Sequence, residues 1–269
     1  MPSANAGKTH TLLKIKWKAH KATLVFEDEE IVVSEDVFTD YHLYEGKEVG
    51  NVERNKIRND AKLSSLYSYG LGLVSRRSYT VHEVREKLKA KTEDVEEIRK
   101  VIYRLKQLGF LDDEAYAAAY VEEALSVKAI GETRIRFELE KKGINPEALQ
   151  SLKIDPKKEK EAAERYLNVL NSRYKTVPNR QKKIKAVNAL IARGFDRSLA
   201  EEVSQKLLPT SSKEEAKRLS VDYNKAKQRY ARKYRGYELK KRVVGSLLSK
   251  GYDYEDIKEL TEEDSYEND

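Results

Sequence analysis

The chain has 269 residues, 37% of them charged and 39% apolar, with no cysteine and a net charge of +7. The absence of cysteine excludes a disulfide framework, thiol catalysis and cysteine-ligated metal. No run approaches the roughly 18 apolar residues of a membrane span, and Met1-Pro-Ser-Ala-Asn-Ala-Gly-Lys lacks the apolar core of a signal peptide, so a cytoplasmic location is expected.

Residues 1–50 read as a small β region and a linker. Leu13, Ile15 and Trp17 alternate with Lys14, Lys16 and Lys18, the period of a half-buried strand. Ala22–Phe26 and Ile31–Val33 add two strands around the acidic turn Glu27–Glu30. A sheet this small needs the helices to pack on. Asp36 is the expected cap of a short helix reaching Leu43, and Glu45–Gly50 reads as the linker.

From Asn59 the apolar period becomes helical, and four modules follow. Module 1 (59–110) holds helices over Ala61–Val74, Ser78–Lys91 and Glu93–Leu108, with Val95, Ile98, Val101, Ile102, Leu105 and Leu108 on the inner face of the third. Module 2 (111–153) opens with Asp112–Val127, whose predicted apolar face is Ala115, Ala118, Ala119 and Val121. Ile135–Lys142 and Pro146–Leu152 follow it. Module 3 (154–208) has Pro178 between its first two helices, and module 4 (211–262) precedes an acidic tail, 263–269.

One frame recurs through these modules: a leucine four residues before a glycine, then a bulky apolar residue. It occurs at Leu105–Gly109, Leu139–Gly143, Leu190–Gly194 and Leu247–Gly251, followed by Asp112, Asn145, Asp196 and Asp253; Leu88–Thr92 is a degenerate copy without glycine. Glycine past a helix can take the left-handed conformation that closes the last turn, and Asn or Asp caps the next helix. The glycines lie 34, 51 and 57 residues apart. The expected fold is therefore mostly α, with tandem three-helix modules in an elongated curved stack beside a small N-terminal β-sheet.

Charge is unevenly spread. From Arg165 to Phe195 there is no acid, while Arg165, Arg173, Lys175, Arg180, Lys182, Lys183, Lys185 and Arg193 supply eight cations. Lys225–Arg242 holds nine cations against Glu238, with Tyr223, Tyr230, Tyr234 and Tyr237 on one helical face. A lone cationic run is often just a solvated helix face, whereas two together point to an anionic partner. The tyrosines are read as core, with stacking on single-stranded bases as the alternative.

No catalytic or metal constellation is legible. His10, His20, His42 and His82 fit no ligand or triad spacing and are expected at the surface, and Gly7-Lys8-Thr9 lacks the first glycine and preceding strand of a phosphate loop. Asp112-Asp113-Glu114 suits helix capping better than a cation site. Neither metal nor cofactor is expected.

Tyr69–Lys91 (YGLGLVSRRSYTVHEVREKLKAK), Val101–Leu125 (VIYRLKQLGFLDDEAYAAAYVEEAL) and Gly131–Ile144 (GETRIRFELEKKGI) together resemble the RecX family. The signatures are Ser75–Ser78, the turn Gly109–Asp113 with Tyr116, Ala117 and Tyr120 behind it, and the Leu-x-x-Lys-Gly helix end. The added strands and fourth module resemble the longer members of Gram-positive bacteria. The resemblance implies a non-enzymatic inhibitor of the RecA recombinase that lies in the groove of the RecA filament on single-stranded DNA, and a monomer free of membranes is expected. The partner-binding candidates are Arg76, Arg77, Arg85, Lys128, Arg134, Arg136, Arg173, Lys175, Arg180, Lys182, Lys183 and Lys185. Gly109, Asp112, Asp113, Tyr116, Gly143, Gly194 and Gly251 are expected to build turns. The rival reading is a protein that coats single strands directly, without a recombinase.

Overall fold

The computed structural model describes residues 9–207 and 209–262; the predicted acidic tail 263–269 and Gly7-Lys8 lie outside them. Thirteen α-helices, one π-helical turn and five short strands form among the described residues. The chain divides into two compact units, Met1–Ala117 with Glu140–Ala148, and Ala118–Leu139 with Leu149–Asp269.

In the first unit, β1 (Thr9–Thr11) pairs antiparallel with β5 (Glu48–Gly50), so part of the predicted linker is a strand. β2 (Lys14–Lys18), β3 (Lys21–Val25) and β4 (Glu30–Ser34) form a second antiparallel sheet in that order. Its register places Ile15, Leu24 and Ile31 in one row and Trp17, Ala22 and Val33 in the next but one, on the same face. Ala22, Leu24, Ile31 and Val33 are buried, whereas Trp17 on the edge strand stays 50% exposed and meets Phe38 edge-on at 4.8 Å. Helix α1 (Glu35–Asp40) is capped by Ser34, whose hydroxyl accepts from Val37 N, and not by Asp36, which already lies in the first turn.

Helix α2 (Asn51–Val74) starts well before the expected Asn59. Its first turns meet the sheet through charge as well as apolar contact. Arg54 donates from Nη1 and Nη2 to the two carboxylate oxygens of Asp28 at 2.6 and 3.1 Å, and Arg58 donates to Glu29 at 2.5 Å. The acidic turn is thus a dock for α2, with Ile57 and Ala61 sealing the core behind it. A buried arginine breaks the apolar period, which is why these turns do not read as helix.

The first repeat packs the rest of α2 with α3 (Val81–Lys89) and α4 (Val95–Gln107) around Leu66, Val84, Leu88, Ile98, Val101, Ile102, Leu105 and Leu111. Val95 and Leu108, predicted inside, are 71% and 55% exposed, because they sit at the helix ends off the 98-101-102-105 stripe. The second repeat comprises α5 (Asp113–Glu123), a π-helical turn (Ala124–Lys128), α6 (Glu132–Lys141) and α7 (Pro146–Ser151). The buried face of α5 is Ala117, Tyr120 and Val121, while Ala115, Ala118 and Ala119 are exposed. Both sets have helical spacing, and the one with the larger side chains removes more apolar area from water.

In the second unit, the third repeat is α8 (Pro156–Arg173), α9 (Asn179–Ala192) and α10 (Arg197–Ser204), and the fourth is α11 (Ser212–Tyr230), α12 (Gly236–Lys250) and α13 (Tyr254–Glu262). Ala162, Tyr166, Leu167, Leu170, Ala186, Leu190 and Val203 are buried in the former. Leu219, Tyr223, Leu239, Val243, Leu247 and Ile257 form a cluster in the latter.

The recurrent frame is a helix stop. Gly109, Gly143, Gly194 and Gly251 have φ of +73°, +76°, +89° and +91°. The leucine four residues earlier is fully buried in every copy. In three copies that leucine's carbonyl accepts the N–H of the residue after the glycine: Phe110 N to Leu105 O at 3.0 Å, Phe195 N to Leu190 O at 3.2 Å and Tyr252 N to Leu247 O at 3.3 Å, the six-to-one bond of a Schellman turn. Asp112, Asn145, Asp196 and Asp253 accept first-turn N–H groups of α5, α7, α10 and α13.

Three of these glycines do more than end a helix. The tail of each later middle helix meets the head of the preceding one, at α6 on α3, α9 on α6 and α12 on α9. At the second of these joints Gly131 N and Thr133 N, at the head of α6, donate to Arg193 O and Gly194 O at 3.0 and 3.1 Å. A Cβ on Gly194 would lie 2.4 Å from Arg134 Cβ and 2.5 Å from Arg134 N. Cβ atoms on Gly143 and Gly251 would lie 2.3 Å from His82 Cβ and 2.4 Å from Gln181 Cβ. By contrast, a Cβ on Gly109 meets nothing within 4 Å, since α4 is no middle helix.

A carboxylate from the next repeat completes each joint. Asp113 accepts from Val81 N at 2.9 Å, Glu159 from Glu132 N at 2.7 Å and Glu215 from Asn179 N at 2.8 Å, in each case the first residue of α3, α6 or α9. Asp112 is therefore the cap of α5, while Asp113 caps a neighbouring helix.

These contacts predict unequal costs for two glycines of similar φ. Gly109→Ala incurs only left-handed strain, about 1 kcal/mol, whereas Gly194→Ala adds a backbone clash and costs roughly 3 kcal/mol or more. Urea unfolding followed by far-ultraviolet circular dichroism measures both; equal costs would show that the joint tolerates a side chain.

Candidate partner interface

The acid-free run does not present eight cations to solvent. Arg165 donates to the carbonyl of Leu125, and Arg193 donates to Lys128 O at 2.6 Å while lying 4.1 Å over the Tyr166 ring. Both arginines therefore close the π-helical turn, whose end at Ala129 is left-handed with φ +48°. Lys182 is 4% exposed and belongs to the interior, contrary to its predicted place at the surface. Arg173, Lys175, Arg180, Lys183 and Lys185 are exposed. The acids of repeat 3 instead sit on α8 and α10, where Glu164 and Glu202 pair with Lys206 and Lys160, each at 2.5 Å.

Repeats 1 and 2 treat their candidates differently. Arg76, Arg77 and Arg85 are exposed, with Arg77 stacked 4.0 Å over Tyr79. In repeat 2, Lys128 pairs with Glu123 at 3.2 Å over the Tyr120 ring, and Arg134 pairs with Glu138 at 2.7 Å. Arg136 bonds Glu132 at 2.6 Å and donates to the carbonyls of Leu149 and Leu152, so it ties α6 to α7. Repeat 2 thus offers largely paired cations, whereas those named on repeats 1 and 3 include several that are exposed.

The second basic run is exposed at Lys225, Arg229, Arg232, Lys233, Arg235, Lys241 and Arg242. Its tyrosines divide: Tyr223 is core, Tyr230 and Tyr234 pack half-buried against it, and Tyr237, also read as core, is 78% exposed. Tyr237 follows the turn at Gly236, φ +48°, where the helical register that relates the other three restarts.

The joint at the head of α3 is also electrostatic. Thr80 caps α3, its hydroxyl donates to Lys142 O at 2.6 Å, and Lys142 Nζ donates to Glu83 at 3.0 Å. Burial pushes the Glu83 carboxyl up, but the Lys142 ammonium and the Thr80 N–H outweigh it and hold the group below its usual range. Tyr116 and then Glu83 hold the Lys142 ammonium above its own, with Lys142 lying 5.6 Å over the Tyr116 ring. At the head of α6 the balance reverses: burial pushes the Glu159 carboxyl up, and the bond from Glu132 N only partly offsets it.

Among the described residues no group of His, Cys, Asp or Glu could hold a metal ion. His10, expected at the surface, is buried and bonds Asn51 through Nε2 at 2.9 Å. Among the same residues no helix is long and apolar enough to cross a membrane.

Fold and charge together define a helical protein built on tandem three-helix repeats with exposed cationic patches. Residues 67–105 match the first three-helix domain of RecX, and residues 112–151 match the second. The regulatory protein RecX of Streptococcus agalactiae serotype Ia is 28% identical over 255 residues, covering 94% of this chain and 98% of that protein. The regulatory protein RecX of Lactococcus lactis is 29% identical over 259 residues, covering 93% and 96%. A crystal structure of regulatory protein RecX superposes with a TM-score of 0.60 at 24% identity, over 73% of this chain and all of that one, which establishes the shared fold. RecX from Lactobacillus salivarius superposes at 0.51 with 26% identity, over 54% and 96%. Over nearly its whole length the chain is thus similar to regulatory proteins of the RecX family, and it carries matches to both of that family's first two three-helix domains.

The two carboxylates predict opposite responses to neutralisation. A depressed carboxyl contributes stability above its unfolded pKa that is lost as pH falls through its folded value; a raised one is unfavourable at neutral pH and relieved on acidification. Glu83→Gln should therefore lower stability at pH 7 by about 1 kcal/mol and flatten the loss of stability below pH ~4.5. Glu159→Gln, which keeps an acceptor for Glu132 N, should be at least as stable as the parent at pH 7. Thermal unfolding across pH measures both, and a destabilised Glu159→Gln would contradict the assignment.

Proposed function

We propose that this chain modulates the RecA recombinase chiefly as an inhibitor, lying along the groove of the RecA filament on single-stranded DNA and suppressing ATPase and strand exchange. It acts as a cytoplasmic monomer. The observation that carries this reading is the arrangement of charge on a repeat scaffold. Exposed cations recur on repeats 1, 3 and 4, in patches around Arg76, Arg77 and Arg85, around Arg180, Lys183 and Lys185, and around Arg232, Lys233 and Arg235. Three acids of repeat 3, Glu159, Glu164 and Glu202, are meanwhile committed to a cap and two ion pairs. Repeat proteins present such patches over an extended surface suited to successive subunits of a filament.

A second reading, direct coating of single strands, draws on Tyr237, exposed among Arg235, Lys241 and Arg242 as base stacking with phosphate neutralisation requires. Binding to preformed RecA filaments and to naked single strands, compared at several salt concentrations, separates the two. Clear preference for filaments supports the first reading; equal binding supports the second.

The patch on repeat 3 yields a sharper expectation once the buried Lys182 is set aside. Reversing Arg180, Lys183 and Lys185 to Glu should leave the fold intact, weaken inhibition of RecA ATPase, and make filament binding less sensitive to salt, by roughly one unit of slope for each phosphate no longer neutralised. Full inhibition by the folded triple variant would move the contact surface to Arg76, Arg77 and Arg85.

A further inference from the structure

The carboxylates of the joints share a register within their own helices. Asp113, Glu159 and Glu215, which cap α3, α6 and α9, each stand four residues before a buried apolar residue, Ala117, Ala163 and Leu219. A buried tyrosine follows three residues further on in the first two, Tyr120 and Tyr166, and four further on in α11, Tyr223. Helix α2 carries the same series as Lys62, buried Leu66 and Tyr69. Lys62 lies 30 residues before Thr92, the separation of Asp113 from Gly143. Lys62 and Thr92 therefore occupy the places of the carboxylate and the glycine of a joint, and both parts are changed.

The two residues meet at the tail of α3. Lys62, Leu66, Tyr69 and Thr92 border a cleft of about 520 Å³ there, where the corresponding residues of later repeats hold the head of the preceding middle helix. Thr92 is not left-handed, unlike Gly143, Gly194 and Gly251, and its hydroxyl accepts from Asp94 N at 3.1 Å and donates to Glu97 at 2.9 Å. The Glu97 carboxylate in the cleft wall is thus held by the turn.

The other end of the series is the head of α12. No side chain caps it, and among the described residues no further repeat brings it a tail and a carboxylate. Arg232, Lys233 and Arg235 are exposed beside it, and Glu238 is the single acid between Lys225 and Arg242. The helix dipole adds to that positive charge. A second copy would extend the series by setting its α2 and the tail of its α3 on this head. It would bring an ammonium in place of a carboxylate acceptor, and a side chain where the inner joints leave no room for a Cβ. Like charges facing each other across a contact exclude a wrong partner.

We propose that Lys62 and Thr92 keep copies of this chain from joining end to end, the first by repelling the cationic head of α12 and the second by filling the space that a joint needs. Without them the contact would be head to tail, and because no rotation closes it, it would grow into open filaments. The proposal deepens the monomer reading given above and does not depend on what the chain binds.

Sedimentation velocity of the full chain across a range of concentrations tests it. The parent should sediment as one concentration-independent species, whereas Lys62→Glu combined with Thr92→Gly should associate at least about tenfold more strongly. Reversing Arg232, Lys233 and Arg235 to Glu in that variant should undo the association, which assigns the other end of the contact to the head of α12. Lys56→Glu combined with Thr92→Gly makes the same charge change on α2 outside the cleft and should behave as the parent does. Should Thr92→Gly fail to fold, Lys62→Glu alone leaves the turn intact and should still associate more than the parent. Variants with a reversed Lys62 that stay monomeric, equal association of the Lys56 control, or association that survives reversal at α12 would overturn the proposal. A parent that itself associates would overturn the monomer reading with it.

Discussion

The N-terminus of a helix leaves N–H groups without intrahelical partners, and this chain answers that need at α3, α6 and α9 with the next repeat. The tail of the following middle helix brings carbonyls, as Arg193 O and Gly194 O do for α6, and the first helix of that repeat brings a carboxylate, Asp113, Glu159 or Glu215. Carbonyl-rich tail and N–H-rich head also place opposite ends of the helix dipoles together. Glycine is required because the two backbones approach within the radius of a Cβ, as Gly194 shows against Arg134 N. The same requirement explains the degenerate copy at Leu88–Thr92: among the described residues no earlier middle helix precedes α3, so its tail has no head to meet.

End-to-end joining also accounts for the irregular repeat. The joint fixes where a middle helix starts and stops relative to its neighbour but not its length. The middle helices grow from 9 residues in α3 and 10 in α6 to 14 in α9 and 15 in α12. The 34-residue step is of a different kind, because Gly109 ends α4; between the middle-helix stops at Gly143, Gly194 and Gly251 the steps are 51 and 57 residues. The joints further sort the charges. Asp113, Glu159 and Glu215 are drawn into caps, Arg165 and Arg193 are drawn inward to the π-helical turn, and exposed cations remain on repeats 1, 3 and 4.

Much of this was legible in the sequence wherever a single local rule sufficed. The helix stops, the caps at Asp112, Asn145, Asp196 and Asp253, and the strands around the acidic turn follow from glycine conformation, capping chemistry and period-two alternation. What was not legible depends on partners distant in sequence. Asp113 reads as one of two adjacent caps, and only the fold shows it serving α3, 32 residues away. Arg54 lies before the helical period that starts at Asn59, and its burial depends on Asp28, 26 residues away. Lys182 and Arg136 carry the same charge as their neighbours, and their inward roles follow from helix register against other helices, which a run of cations does not encode. The exposed alanines of α5 misled because two faces had equal helical spacing.

The central claim, that each middle helix is closed at its head by the tail of the next, is tested most directly by amide hydrogen exchange on the unmodified chain. First-turn N–H groups of an ordinary helix exchange with solvent almost freely. Gly131 and Thr133, held by Arg193 O and Gly194 O, are predicted to exchange as slowly as mid-helix amides of α6 such as that of Leu139. Exchange of Gly131 and Thr133 at the rate of a frayed terminus, with Leu139 still protected, would contradict it.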